Sequence, residues 1–211
     1  MEDNYSETHK TWDKLAQLYE EKFMELDLYD DTYQKFCDLL TSTNASVLEI
    51  GCGPGNITRQ ILNINPMLNV LATDVSKNMV ELAQKNNPNA KVQVLDGRDL
   101  NTLKSQFDGV VCGFIIPYLS ENDTSTLIKN CSKTLYDKGV FYLSFVEGNP
   151  AKSGFITGAT GDRSYFHYYE FNTIKQLLNL NGLSIAEHYG KQFKKTDNSI
   201  ENHTIILARK D

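Results

Sequence analysis

Three glycines and three acids hold the chemistry that this sequence offers most directly. In VLEIGCGPGN, residues 47–56, a short apolar run contains Glu49, and Gly51, Gly53 and Gly55 follow at alternate positions. Glycines in such a turn let the backbone approach a ligand closely, and a loop that opens a helix aims free N–H groups at it. Tight strand-to-helix turns also use glycine for purely structural reasons, so the loop needs partners. Asp74 in LATDVS and Asp96 in VLDGRDL end two further apolar runs. Asp74 can accept from both hydroxyls of an adenosine ribose, or else cap a helix beside Ser76. Asp96 with Gly97 can meet an adenine amino group through its side chain and a ring nitrogen through a backbone N–H, or else form a plain turn. All three acids then fall at C-terminal ends of successive strands, the edge of an open parallel sheet where ligands bind.

The glycine spacing separates nucleotide classes. Dinucleotide enzymes use G-x-G-x-x-G, and here Asn56 stands where the third glycine belongs, with Pro54 stiffening the turn. No Gly-Lys-Ser/Thr follows, which excludes a P-loop. Cys52 lies within the loop but has no neighbouring base to activate it as a nucleophile. Cys37, Cys52, Cys112 and Cys131 form no CxxC pair, so neither a zinc site nor a disulfide framework is expected. A net charge of −6 argues against a nucleic-acid partner, because displacing counterions from phosphates needs a basic face. Lys191, Lys194 and Lys195 form the one basic cluster, expected to be a solvated loop. No apolar run reaches the roughly 20 residues that span a bilayer, and the opening MEDNYSETHK reads as neither a secretory nor a transit leader. The expected location is the cytoplasm.

Positioning these groups needs alternating strands and helices. Apolar runs at 46–50, 69–73, 91–95, 109–115, 139–146, 184–189 and 203–208 read as strands, with helical patterns after the first, second, fourth and fifth. Helix-sized connections between buried strands imply crossovers and a parallel sheet. Gly139 and Gly182 read as helix C-caps. Between the last two strands lies only GKQFKKTDNSIEN, too short and polar for a crossover helix, so one of the pair runs antiparallel. Residues 147–169 read as a long functional loop. Before the first strand, Trp12, Leu15, Leu18, Tyr19, Phe23 and Leu26 share one helical stripe and Tyr29, Tyr33, Phe36, Cys37 and Leu40 a second. Two packing helices, or an aromatic lid over a site, would explain them.

Together these segments resemble the class I S-adenosylmethionine-dependent methyltransferases of the small, single-domain kind. VLEIGCGPGN, LATDVS and VLDGRDL match the first three motifs, FDGVVCGFIIPYL resembles the fourth, and LYDKGVFYLSF the fifth strand with its preceding turn. The resemblance runs from about residue 12 onward. It implies a three-layer, Rossmann-like α/β fold with a seven-stranded, mostly parallel sheet in the order 3-2-1-4-5-7-6, strand 7 being antiparallel. Residues 1–211 would form one domain, with a helical lid over 1–42 and the core over 43–211. S-adenosyl-L-methionine is the implied cofactor. The implied contacts are Tyr19, Glu49, Gly51, Cys52, Gly53, Asn56, Asp74, Val75, Met79, Asp96, Gly97, Arg98, Cys112 and Gly113.

Methyl transfer from a sulfonium is an in-line displacement on an already activated donor, so positioning and water exclusion suffice and no metal is expected. Tyr19 and His167 are the candidate catalytic side chains, each with core packing as its alternative. Tyr118, Glu147, Tyr165 and His167 are the candidates for contact with the acceptor. Ile115-Ile116-Pro117-Tyr118 keeps the Pro-Tyr of base-methylating enzymes but lacks their polar residue and first proline, which favours a small-molecule acceptor. No membrane partner is expected, and the chain would act as a monomer or homodimer. The competing readings are a nicotinamide-dependent oxidoreductase, disfavoured by Asn56 and the reversed strand, and a non-catalytic cofactor binder.

Overall fold

Two hydrophobic cores, one on each face of a seven-stranded sheet, organise the computed structural model, which describes residues 4–211. Residues 1–3, part of the polar opening stretch read against a leader, lie outside the described residues. Three helices come first: α1 (Asn4–Lys14), α2 (Ala16–Phe23) and α3 (Asp30–Leu39). Then follow β1 (Ser46–Ile50), α4 (Asn56–Ile64), β2 (Asn69–Asp74), α5 (Lys77–Asn86), β3 (Lys91–Val94), β4 (Phe107–Gly113), α6 (Glu121–Thr134) and β5 (Leu135–Val146). A small hairpin, β6 (Gly154–Thr157) with β7 (Arg163–Phe166), precedes α7 (Phe171–Leu180), β8 (Leu183–Lys194) and β9 (Ile200–Lys210).

The sheet order is β3-β2-β1-β4-β5-β9-β8, with β9 antiparallel to both neighbours. Because β6 and β7 pair only with each other, β8 and β9 are the sixth and seventh strands of the main sheet, giving the implied 3-2-1-4-5-7-6. Side chains alternate between the faces as a period of two requires. Val110, Phe141, Leu143 and Ile206 join α6 and α7, whereas Val111, Val140, Tyr142 and Ile205 join α3, α4 and α5. This is why strands buried on both faces read as near-continuous apolar runs.

The structure corrects several sequence expectations. The first aromatic stripe is broken at Leu15, which caps α2, and Leu18 faces solvent at 49% exposure. Gly139 caps no helix: α6 ends at Thr134, Lys138 carries the positive φ, and Gly139 lies within β5 at a register shift. Gly182 does follow α7, at φ +66, donating to Asn179 O at 3.2 Å. The presumed loop over 147–169 contains the β6–β7 hairpin. The polar stretch after Tyr189 is largely strand, so Lys191 lies in β8 and pairs with Asp31 at 2.7 Å. Among the described residues no helix is long and apolar enough to cross a membrane, and no cluster of His, Cys, Asp and Glu could hold a metal.

Candidate active site

The glycine loop is held open by its own backbone geometry. Gly51, Gly53 and Gly55 all have positive φ (71°, 54° and 85°), a region that side-chain-bearing residues rarely enter. Gly55 caps α4, and a Cβ there would lie 2.3 Å from Asn87 Nδ2 and 3.2 Å from Ala83. Gly55→Ala should therefore cost about 3 kcal/mol of folding stability, from left-handed strain plus the clash. Chemical denaturation would measure it, and a loss below about 1 kcal/mol would mean the loop can rearrange.

Each acid has a defined place around this loop. Asp74 Oδ2 accepts from Gly53 N and Oδ1 from Ser76 N, both at 2.9 Å, so Asp74 fixes the loop from beneath. Burial raises its pKa, and the backbone N–H groups of Ser76, Gly53 and Val75 only partly offset that. Ser76, not Asp74, caps α5, accepting from Met79 N. Asp96 accepts from Arg98 N and is gripped by the Arg98 guanidinium, which packs 4.1 Å from the centre of the Tyr5 ring. Burial pushes the Asp96 carboxyl up, but the hydrogen bonds and charge of Arg98 outweigh it and hold the group below its usual range. Glu49 is buried beneath the loop, where Thr58 donates to Oε2. Its Oε1 is buried with no partner, and burial raises the carboxyl to about 8.

Two cavities open above these groups. The first, about 110 Å³, is lined by Asp74, Val75, Met79, Asp96 and Gly97, with Thr8, His9 and Ile115 closing it. The second, about 170 Å³, has walls of Phe23, Tyr29, Tyr33, Phe166 and Phe193, with Asn56, Cys52, Glu201 and His203 as its more polar lining. Trp12, Tyr19, Gly51, Gly53, Gly113, Phe114 and Tyr118 line both, so the cavities meet at these residues. Trp12 stands edge-on to Tyr19 at 5.7 Å and to Tyr118 at 5.2 Å between ring centres. Its indole N–H is buried there without a partner. Burial, with Asp74 and Glu49 nearby, raises the Tyr19 phenol to about 12, so it stays protonated at neutral pH and is no base.

The structure brings most of the sequence-derived residues together. Tyr19, Gly51, Cys52, Gly53, Asn56, Asp74, Val75, Met79, Asp96, Gly97, Gly113 and Tyr118 line one or both cavities. Glu49 and Arg98 stand behind them, supporting the loop and Asp96. Cys112 does not reach the site; it is buried 3.8 Å from Cys131. Three acceptor-side candidates also lie elsewhere. His167 packs against Tyr165 and Tyr169, with burial lowering its pKa. Tyr165 is packed on Phe155. Glu147 accepts from Thr204 at 2.6 Å and Phe171 N. Their places on the second cavity are taken by Tyr29, Phe114, Phe193, Glu201 and His203. Glu201 and His203 are two apart on β9, a period-two signal visible in IENHTIIL once the strand is started earlier.

Helix α1 is tied down on two sides. On α1, Asp13 accepts from Ser76 Oγ at 2.6 Å and from Asn78 N at 3.1 Å, tying the helix to the start of α5. Lys14 pairs with Asp162 and Glu7 with Arg163, both at 2.8 Å, tying it to the β6–β7 hairpin.

The profile of a family described as a methyltransferase domain matches residues 47–139. An uncharacterised methyltransferase of Oceanobacillus iheyensis is 29% identical over 150 residues, 67% of this chain and 68% of that protein. A tRNA N(3)-methylcytidine methyltransferase of Schizosaccharomyces pombe is 26% identical over 171 residues, covering 75% of this chain and 67% of its own. The chain thus spans about two thirds of the length of curated relatives it matches. Among solved structures, an S-adenosylmethionine-dependent methyltransferase of Clostridium acetobutylicum superposes with a TM-score of 0.69 at 17% identity, covering 93% of this chain and 97% of that one, a likeness of fold.

Proposed function

We propose that this chain is a class I S-adenosylmethionine-dependent methyltransferase that methylates a small molecule held in its aromatic cavity. The observation that carries the reading is the meeting of two cavities at Tyr19, Gly53 and Tyr118, one edged by acids and the other walled by aromatic rings. The residues fit the cofactor on a specific test: Glu49 Oε1 is a buried acceptor with no partner, directly beneath the glycine loop.

When bound, S-adenosylmethionine supplies a methyl group already activated on a sulfonium. Asp74 would receive the ribose hydroxyls, Asp96 and the Gly97 N–H the adenine edge, and Glu49 the amino group of the methionine end. Tyr19 and Tyr118 present aromatic surface where the cavities meet, suited to a sulfonium through its attraction to ring faces. Closing α1 over this junction excludes water and holds the acceptor in line with the methyl group.

The small-molecule acceptor rests on the second cavity's size and walls and on the net charge of −6. The tRNA substrate named for two relatives makes nucleic acid the competing acceptor. Calorimetry should give measurable affinity for S-adenosylmethionine and S-adenosylhomocysteine and none for NAD. The reverse pattern would overturn the reading. A screen for S-adenosylhomocysteine formation over phenols, amines, carboxylates and unmodified tRNA then separates the acceptors, and turnover with tRNA only would replace the small molecule.

A further inference from the structure

Tyr29, His203 and Glu201 form a hydrogen-bonded chain on the wall of the aromatic cavity that neither the matched domain nor the sequence motifs account for. Tyr29 Oη lies 2.7 Å from His203 Nδ1, and His203 Nε2 lies 3.5 Å from Glu201 Oε2. Lys195 closes the far end, 3.1 Å from Glu201 Oε1. A carboxylate at Nε2 assigns the ring proton to that nitrogen, leaving the Nδ1 lone pair to accept from the tyrosine hydroxyl. The imidazole is fixed in this pose by Phe193, stacked at 14° and 5.2 Å, and by the edge of Phe114 at 4.9 Å.

We infer that this chain is a proton relay serving a neutral, planar acceptor with a weakly acidic hydroxyl, of the phenol or enol class. The inference rests on the methyltransferase reading and deepens it. The walls are aromatic and carry no lysine or arginine, so nothing anchors an anionic acceptor, and a neutral hydroxyl needs a base to become a competent nucleophile. In the step, the acceptor hydroxyl passes its proton to Tyr29 Oη while Tyr29 passes its own to His203 Nδ1. The acceptor oxygen forms its bond to the methyl carbon as the sulfur–methyl bond breaks, and the electron pair of that bond stays on sulfur. The products are a methyl ether, the neutral thioether and an imidazolium that later loses its proton to solvent. Glu201 acts through His203 and is a positioning residue.

The groups facing the imidazole agree with this direction of transfer. The hydrogen bond from His203, followed by Lys195, holds Glu201 below its usual range, so it is ionised and stabilises an imidazolium. Tyr29 is pushed up by burial, so it is a neutral hydroxyl between turnovers and serves as a conduit, not as the resting base. Tyr33, Tyr19, Tyr118 and Cys52, the other titratable groups around the cavity, are likewise raised by burial.

The test uses 4-nitrophenol with protein saturated in S-adenosylhomocysteine, buffered below the pKa of the free probe. Equilibrium dialysis measures binding, and the phenolate absorbance measures ionisation of the bound probe. The expected result is an ionised bound probe in the wild-type chain. Ionisation should be lost in His203→Phe with binding retained, and the ionised fraction should fall about tenfold in Glu201→Gln, a partly exposed site that spares the fold. A bound probe that stays protonated, equal ionisation in both variants, or no binding of the probe overturns the relay while leaving the cofactor reading intact. Failure to bind S-adenosylhomocysteine would overturn that reading, and the relay with it.

Discussion

Asp74→Ala should lower the affinity for S-adenosylmethionine by about 100-fold or more, roughly 3 kcal/mol, the worth of two charge-assisted hydrogen bonds to ribose hydroxyls. The effect has a second source. Asp74 accepts from Gly53 N and Ser76 N, so its removal frees the loop that must approach the cofactor. The variant should accordingly lose about 1–2 kcal/mol of stability as well, since two buried backbone donors are left unpaired. The loss of affinity exceeds the loss of stability, and calorimetry beside denaturant unfolding separates them. A variant that binds within threefold of the parent would remove Asp74 from the ribose role.

Glu49→Gln should change the pH dependence of both folding and binding. The Glu49 carboxyl is raised from 4.5 to about 8 in the folded chain, so between these values the folded form holds a proton that the unfolded form has lost. Folding stability is then fully present below about pH 4.5 and falls as pH rises toward about 8, by a total on the order of 4 kcal/mol from this group. Asp74, also raised by burial, adds a decline of the same sign. Glutamine keeps an oxygen for the Thr58 hydroxyl and cannot ionise, so most of this slope should disappear. Binding changes in the opposite sense. In its proposed role an ionised Glu49 would attract the cofactor's amino group, so wild-type affinity should rise toward about pH 8, while the Gln variant stays flat and weaker by about tenfold. Thermal unfolding across pH, with and without S-adenosylhomocysteine, reads both. Parallel slopes in the two proteins would place the titration elsewhere.

The half of the molecule proposed to hold the cofactor was legible because it is written locally. Gly51, Gly53 and Gly55 are needed for their own φ angles, and Asp74 and Asp96 each end a strand whose apolar run is visible in sequence. The reversed final strand was also legible, since no amphipathic helix fits between Tyr189 and His203. The half proposed to hold the acceptor was not, because its members come from four distant segments that only folding assembles. Tyr29 and His203 are 174 residues apart in sequence yet share a hydrogen bond. His167 drew attention as a histidine among tyrosines, but its aromatic neighbours pack it beside β7, with its backbone N–H on Pro117 O at 2.7 Å. The Lys–Gln–Phe–Lys–Lys run looked like loop because alternation on a two-stranded ribbon leaves one face polar and exposed, and charge masked the period.

The double latch on α1 bears on the order of events in turnover. The helix contributes Trp12 to both cavities, and its ties to α5 and to the hairpin hold it in place beside them. On the proposed reading, donor and acceptor would lie under the same helix. Asp13 accepts from Ser76, two residues past Asp74, so a ribose seated on Asp74 would bear on the helix that covers the acceptor's cavity. For the proposed methyl transfer, such an arrangement would give a compulsory sequence, donor first and demethylated donor last.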